Sequence, residues 1–461
     1  MDKSELFSFV KSDSIKNFIK ASEVKTNEDI EILQKSGYMI GFTFDKLAEV
    51  FPKEIADRLY YNNGFDKTFY FDKENMILFS VNLYGKEALM PFDKLIERIY
   101  DKAAYLTENV KQGDYSPIFI TLNDKMRMEM LNLFIEDKRS EAGYKLFKSF
   151  YPSSDYGCSE LSEKAINNLC AMKSAKEKAE TERFISDFPD KVKLYRGEGD
   201  RSSDWRNAMS WTTDINIANF FASRMLGNSA RILVAEADKK NIIEYFDNEK
   251  ECLVRSKNIR LKDKIELKGI EFLGDIYPKV KDKYFEYRDI MLDELDFYLD
   301  DGEHGKLHTL RVMLNALMIA KQRGLSETNI DKLCTAAIFH DTMRTHNGSD
   351  ENHGRASAKY YRKFTENNIS EIKYSDTVKR LIEYHCLPDE IGKNAISKAD
   401  WELYDILKDA DGLDRIRFGI RELDINQLRT PEAKMMTMVA LANIENLKIP
   451  QTEIEEGMQF T

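Results

Sequence analysis

The chain has 461 residues, a formal net charge of −11 and a pI near 5.4. Its length implies two or three domains, and its acidic balance argues against a broad nucleic-acid surface, leaving only a local basic groove open. No run of 18 apolar residues occurs, which excludes a helical membrane span. The hydrophobic fraction of 42% with few Gly and Pro implies an ordered globular chain. Five scattered cysteines (Cys158, Cys170, Cys252, Cys334, Cys386) without a Cys-x-x-Cys pair imply a reducing compartment. The opening MDKSELFSFVKSDSIKNF carries internal charges and no apolar core of signal length, so the expectation is a cytoplasmic protein.

Residues 1–95 read as an α+β module without a catalytic constellation. Helices are expected at Asp13–Val24 and over Phe42–Tyr61, then strands at Thr68–Phe71 and Ile77–Val81 around the turn Asp72–Asn75. Residues 96–190 read as mostly helical, with periodic segments at Ile96–Val110, Lys125–Lys138, Glu160–Met172 and Ser174–Phe184, and a short strand at Ser116–Leu122.

The texture changes at Lys191. Val192–Gly197 is an expected strand ending in Arg196 and Gly197, Asn207–Thr213 a second, and Asp214–Arg224 a helix burying Ile217, Phe220 and Phe221. Arg231–Ala237 alternates like a strand, and Glu249-Lys250-Glu251 runs into another. Short strands with an arginine, a serine and a glutamate pair near their ends make a nucleotide cleft. That order resembles the mono-ADP-ribosyltransferases of the arginine-serine-glutamate type, over residues 100–275. The resemblance implies that Arg196, Ser210, Thr212 and Glu251 bind NAD, with Thr213 where the family has a serine. It implies that Glu251 is catalytic, stabilising an oxocarbenium-like transition state, and that Glu249 positions the acceptor, typically an arginine. A carboxylate beside developing positive charge and an arginine fork on phosphate suit that chemistry.

Asp275–Tyr298 reads as a charged helical link. All six histidines then fall between Glu303 and Asp414: His304, His308, His340, His346, His353 and His385. Histidine is the usual residue for metal ligation and for proton transfer near neutral pH. His304 and His308 are four apart in a helical pattern, which puts them on one face. His340 and Asp341 end the apolar run Leu333–Phe339, offering either two ligands to one cation or a base with its orienting partner. Asp411 is expected on a third buried helix. Histidines and carboxylates without paired cysteines suit Mn, Fe, Zn or Mg. The series His308, His340-Asp341, Asp411, with Arg344, His353-Gly354, Glu383-Tyr384-His385 and the run DADGLDRIR, resembles the HD-domain metal-dependent phosphohydrolases. The resemblance implies that His308, His340, Asp341 and Asp411 bind a metal. His353 and His385 would hold a second metal or the phosphate, and Arg344 and Arg415 would face phosphate. Leu423–Leu447 reads as an amphipathic helix with Pro431 at a helix start.

The expected fold class is multidomain α+β. An N-terminal module (1–95) is followed by an ADP-ribosyltransferase-like β-sandwich with a helical lobe (96–275) and an all-α HD-type phosphodiesterase domain (276–461). The expected function is bifunctional: transfer of ADP-ribose from NAD to a protein acceptor, and cleavage of a phosphodiester or pyrophosphate. The pairing is similar to the SidE-type bacterial effectors, which act on ubiquitin. That resemblance implies ubiquitin as acceptor, export into a host cell, and a direct catalytic role for His304, His308, His353 and His385 without metal. The domain order here is reversed relative to that family. The alternatives are an HD-type nucleotide phosphohydrolase with an inactive transferase fold, and a module that only binds NAD or ADP-ribose.

Overall fold

The computed structural model describes residues 18–20, 51–62, 67–72, 75, 77–81, 92–122, 127–128, 131–132, 135, 142–154, 161–299, 303–348, 350–367 and 371–446. The chain divides into two compact units, residues 1–186 and 187–461.

The first unit holds an antiparallel sheet in the order β1-β2-β3-β4. Its elements are β1 (Phe18–Lys20), the short helix α1 (Lys53–Ala56), β2 (Leu59–Asn62), β3 (Lys67–Asp72) and β4 (Ile77–Val81). The described part of the expected helix Asp13–Val24 is therefore a strand. The expected helix Phe42–Tyr61 contracts to α1 followed by β2, with residues 42–50 outside the described residues. Cross-strand pairing overrides local helical pattern here: Leu59 lies opposite Tyr70, and Tyr60 opposite Phe69. The strands at 68–71 and 77–81 fall where expected. Helices α2 (Phe92–Lys111), α3 (Ser116–Thr121), α4 (Ala142–Phe150), α5 (Glu163–Met172) and α6 (Ala175–Phe184) follow. The segment expected as a strand at Ser116–Leu122 is α3; Pro117 in its first turn has φ already set for a helix. Ser174 and Glu177 form a capping box at the start of α6. The helix expected over Lys125–Lys138 lies largely outside the described residues.

The second unit begins with β5 (Lys191–Gly199), β6 (Ser210–Thr212), α7 (Ile215–Ser223), β7 (Ala230–Asp238), β8 (Ile242–Phe246), β9 (Glu251–Val254) and β10 (Arg260–Leu267). The six strands form one antiparallel sheet in the order β10-β7-β5-β6-β9-β8. A single register pair, Tyr195 opposite Thr212, joins its two three-stranded halves. Strands β8 and β10 are additional to the expected ones. Most of β10 is exposed and charged, so no apolar alternation marks it. Gly197 lets α7 lie directly on β5, since a Cβ there would stand 1.9 Å from the Ala218 carbonyl oxygen. Asp214 caps α7, accepting from Asn216 N–H at 2.8 Å.

The rest is helical: α8 (Ile270–Ile276), α9 (Lys281–Glu294), α10 (Lys306–Arg323), α11 (Glu327–Phe339), α12 (His353–Glu366), α13 (Asp376–Tyr384), α14 (Asp389–Ala395), α15 (Trp401–Asp414), α16 (Pro431–Lys434) and α17 (Thr437–Asn446). Helix α10 is buried on every side from His308 to Ala320, which makes it the central rod of this region. One core runs from Ala218 and Ile232 at the sheet through α10 and α11 to α17. The expected long helix at Leu423–Leu447 is instead broken into a 3₁₀ turn (Ile425–Gln427), α16 and α17. Thr430 caps α16 ahead of Pro431. No described helix is long and apolar enough to cross a membrane.

Candidate metal centre and a second polar cluster

The histidines reach one centre from helix ends. His340 is the C-cap of α11 and His385 the C-cap of α13. The last carbonyls of a helix lack intrahelical partners, and both rings use one. His340 Nδ1–H donates to the Ala337 carbonyl at 2.6 Å, and His385 Nδ1–H donates to that of Ile382 at 2.8 Å. His353, at the start of α12, donates Nδ1–H to the Asp350 carbonyl in a short hydrogen bond. His308, on α10, donates Nδ1–H to Asp414 Oδ2 at 2.7 Å. Each of these four rings thereby turns its Nε2 inward. The Nε2 atoms meet in two couples: His308 Nε2 to His340 Nε2 at 3.2 Å, and His353 Nε2 to His385 Nε2 at 2.9 Å. Two imine nitrogens repel unless a proton or cation lies between them. An outer partner fixing the tautomer of each ring is the usual support of metal-ligating histidines.

Asp341 stands between the couples. Its Oδ2 lies 3.1 Å from His304 Nδ1 and 3.6 Å from His308 Nε2. Its Oδ1 is buried without a hydrogen bond, with His353 Nε2 at 3.0 Å and His385 Nε2 at 3.6 Å. Asp411 Oδ1 lies 3.4 Å from His308 Nε2. The donor atoms form overlapping sets: His304, His308 and Asp341; His308, His340 and Asp411; His340, Asp341 and His385; and His353, His385 and Cys386. The expected ligands His308, His340, Asp341 and Asp411 thus come together, and so do His304, His353 and His385.

Electrostatics sharpen this picture. Burial pushes His340 down to about 4, keeping it a neutral donor. Burial opposes ionisation of Asp341, but His340 and the other imidazoles around it hold its carboxyl well below the usual range. Burial likewise opposes a charge on His353, yet the Asp341 carboxylate lifts it to about 10. A proton and a cation therefore compete for that half of the centre. Burial lowers His304, which sits nearer the rim.

Other residues differ from expectation or went unread. His304 lies in a turn ahead of α10, which starts at Lys306, so the two rings are not on one helical face; they still approach to 5.3 Å between centroids. His346 is exposed and outside the centre. Arg344 is buried, with Nη1 3.8 Å from Asp341. Arg415 is exposed and donates to the Glu422 carbonyl; Arg417 takes the place beside the site, with Nη2 3.4 Å from His304 and Nη1 3.2 Å from Asp414. Asp414 also pairs with Arg311 at 2.5 Å. The readable signal was the i, i+3 pair Asp411 and Asp414 on α15, followed by Arg417 in the 3₁₀ turn Arg415–Phe418.

The sheet holds the second cluster. Arg196 donates to the Ser210 carbonyl at 2.9 Å and to that of Ser203 at 3.1 Å, and Ser210 Oγ donates to Glu251 Oε1 in a short hydrogen bond. Arg196, Ser210 and Glu251 are thus neighbours on β5, β6 and β9. Burial pushes Glu251 up to about 7. Lys250 adopts a left-handed backbone with φ 48°, a strained turn for a residue with a Cβ. Thr212 Oγ donates to the Glu249 carbonyl at 2.8 Å, and Thr213 N–H to that of Lys250 at 3.0 Å, so both threonines brace this turn. Glu249 Oε1 accepts from Arg421 at 2.8 Å, and the Arg421 guanidinium also lies 4.3 Å from the Phe220 ring centroid.

Residues 307–416 match the family model of the HD domain, so the helical C-terminal region contains an HD domain. No curated protein matches the chain, and no solved structure matches it. The resemblances to ADP-ribosyltransferases and to SidE-type effectors gain no support from these comparisons.

Proposed function

We propose that the HD region is a metal-dependent phosphohydrolase centre with two adjoining cation positions that share Asp341. The carrying observation is the pair of Nε2 couples, 3.2 and 2.9 Å apart, each flanked by one Asp341 oxygen. His308, His340, Asp341 and Asp411 would hold one cation; His353, His385 and Asp341 would hold the other. Imidazole with carboxylate suits Mn, Fe or Zn. When bound, a divalent cation supplies charge for phosphoryl oxygens and acidifies a water. The chain's own side chains do the rest. Arg344 and Arg417 offer guanidinium forks to phosphate oxygens. His304, held toward its neutral form by burial and 3.1 Å from Asp341, is the group at the rim able to accept a proton. The substrate class is a phosphate mono- or diester, such as a nucleotide. The test is elemental analysis beside hydrolysis of a nucleotide panel. Near-stoichiometric metal lost from His340→Ala together with activity supports the reading; full activity in chelator refutes it and favours histidine-based chemistry.

A second reading concerns the sheet. The neighbouring placement of Arg196, Ser210 and Glu251 favours an NAD-dependent ADP-ribosyl transfer there. Arg196 and Ser210 would hold NAD, Glu251 would face the nicotinamide ribose, and Glu249 would hold an acceptor guanidinium. Attached ADP-ribose contains a pyrophosphate, a bond the HD centre could cut. Nicotinamide release by the wild-type chain but not by Glu251→Ala supports this; equal release by both refutes it.

A further inference from the structure

The two halves of the centre differ in charge. Two carboxylates, Asp341 and Asp411, serve the half built on His308 and His340, enough to balance a dication. The half built on His353 and His385 has two imidazoles and only the shared Asp341. It also has a guanidinium at hand, Arg344 Nη1 lying 3.4 Å from His353 Nδ1. One anionic donor is missing from this inventory.

Cys386 stands in that position. It follows His385 directly, and its sulfur and one ring nitrogen from each of His353 and His385 lie within 4.8 Å of one another. Elsewhere among the described residues, the candidate sets contain only imidazole and carboxylate. A second observation points to a ligand: Asp341 Oδ1, nine-tenths buried and without a hydrogen bond, is directed at the same two imidazoles. The packing that creates the cluster depends on Gly354. A Cβ there would stand 2.8 and 2.9 Å from the Ile382 and Glu383 carbonyl oxygens and 3.0 Å from Cys386 Sγ. Glycine at this point lets the start of α12 sit against the end of α13, bringing His353 to the sulfur. The thiol sulfur lies 3.6 Å from the Glu351 carbonyl oxygen and interacts with His353.

We propose that Cys386 is a thiolate ligand of the cation held by His353, His385 and Asp341 Oδ1. This inference rests on the phosphohydrolase reading and deepens it. Binding breaks the S–H bond, releases its proton to solvent and forms one metal–sulfur bond, with no change of oxidation state. An N₂OS donor set is tetrahedral in size and softer than its neighbour, so this half selects zinc, iron(II) or cobalt(II) over magnesium and manganese. The centre is then asymmetric.

The test uses the full chain, freed of metal by chelator and titrated with cobalt(II). The expected result is an intense near-ultraviolet thiolate-to-cobalt absorption band, together with protection of one reactive thiol. In Cys386→Ser the band should vanish while the visible bands of nitrogen- and oxygen-bound cobalt persist. Zinc affinity of this half should fall at least about tenfold, the loss that even outer-shell changes produce. Cys170→Ser should keep the band. Visible cobalt bands without the near-ultraviolet band in the wild-type chain would overturn the thiolate ligand and leave the phosphohydrolase reading standing. A band that survives Cys386→Ser would do the same. Absence of any cobalt or zinc uptake would overturn both. The wild-type spectrum and Cys386→Ala decide the matter if the serine variant does not fold.

Discussion

The HD centre and the sheet cluster are both buried polar assemblies in one compact unit, but their hydrogen bonds are spent differently. In the centre, the helix-end carbonyls of Ala337 and Ile382, the loop carbonyl of Asp350 and the Asp414 carboxylate take the outer Nδ1–H groups, and the inner Nε2 atoms face one another. In the sheet cluster the groups satisfy themselves: Ser210 donates to Glu251, Arg196 is held by two carbonyls, and Glu249 is already paired with Arg421. Converging nitrogens of this kind are held together by a shared proton or by a cation. A self-satisfied cluster stays closed until a ligand displaces a partner, because every displaced group must be paired again. The first arrangement gathers donors that could hold a cation; the second shows only which residues are neighbours.

The largest expected effect comes from the residue common to both halves of the centre. Asp341→Asn keeps the shape but removes the shared charge. Metal content should fall below about a tenth of wild type, and phosphohydrolase turnover by roughly a thousandfold, about 4 kcal/mol of transition-state stabilisation. Retained metal and turnover would mean that the carboxylate only orients histidines.

Next comes Glu251. On the transferase reading, Glu251→Gln should slow nicotinamide release by about 100-fold or more. It should also change stability in the opposite direction to activity. Burial raises Glu251 from 4.5 to about 7, so its contribution is fully present below the unfolded value and is lost as pH rises through about 7. The wild-type melting temperature should therefore drop between pH 5 and pH 8 relative to Glu251→Gln, reflecting up to about 3 kcal/mol. Parallel melting curves for the two proteins would show that Glu251 titrates as it does in the unfolded chain.

The smallest effect concerns Arg421, which is half-exposed beside Glu249. Exposed ion pairs are worth about 0–1 kcal/mol. Arg421→Ala should therefore leave stability nearly unchanged and lower the KM for a guanidino acceptor by up to about fivefold, as Glu249 becomes available. A raised KM would make Arg421 part of the acceptor site rather than its competitor.

The centre was far more legible than the fold around it. Histidine is scarce here, and six in one stretch with His340-Asp341 at the end of an apolar run announce themselves without any structure. The sequence did not reveal what a helix end does to a ring: the use of the Ala337 and Ile382 carbonyls depends on where α11 and α13 stop. Asp414 and Arg417 went unread because their partners His308 and His304 lie more than 100 residues away. Cys386 looked like a scattered cysteine until α12 and α13 met at Gly354. Among the strands, β5, β6, β7 and β9 carried turn residues or alternation at their ends. Strand β10 is a charged edge, and β1 is three residues long, too short for any period. The segment at Ser116–Leu122 looked like a strand for its apolar run, while Pro117 was the helix signal that outweighed it.

The most direct test of the centre is anomalous diffraction from crystals of the full chain loaded with zinc. The account predicts two peaks: one within about 2.0–2.2 Å of the His340 Nε2 and Asp411 donors, the other at that distance from the His353 and His385 donors, with Asp341 between them. No anomalous peak at either couple, in protein that hydrolyses nucleotides fully in the presence of chelator, would contradict it.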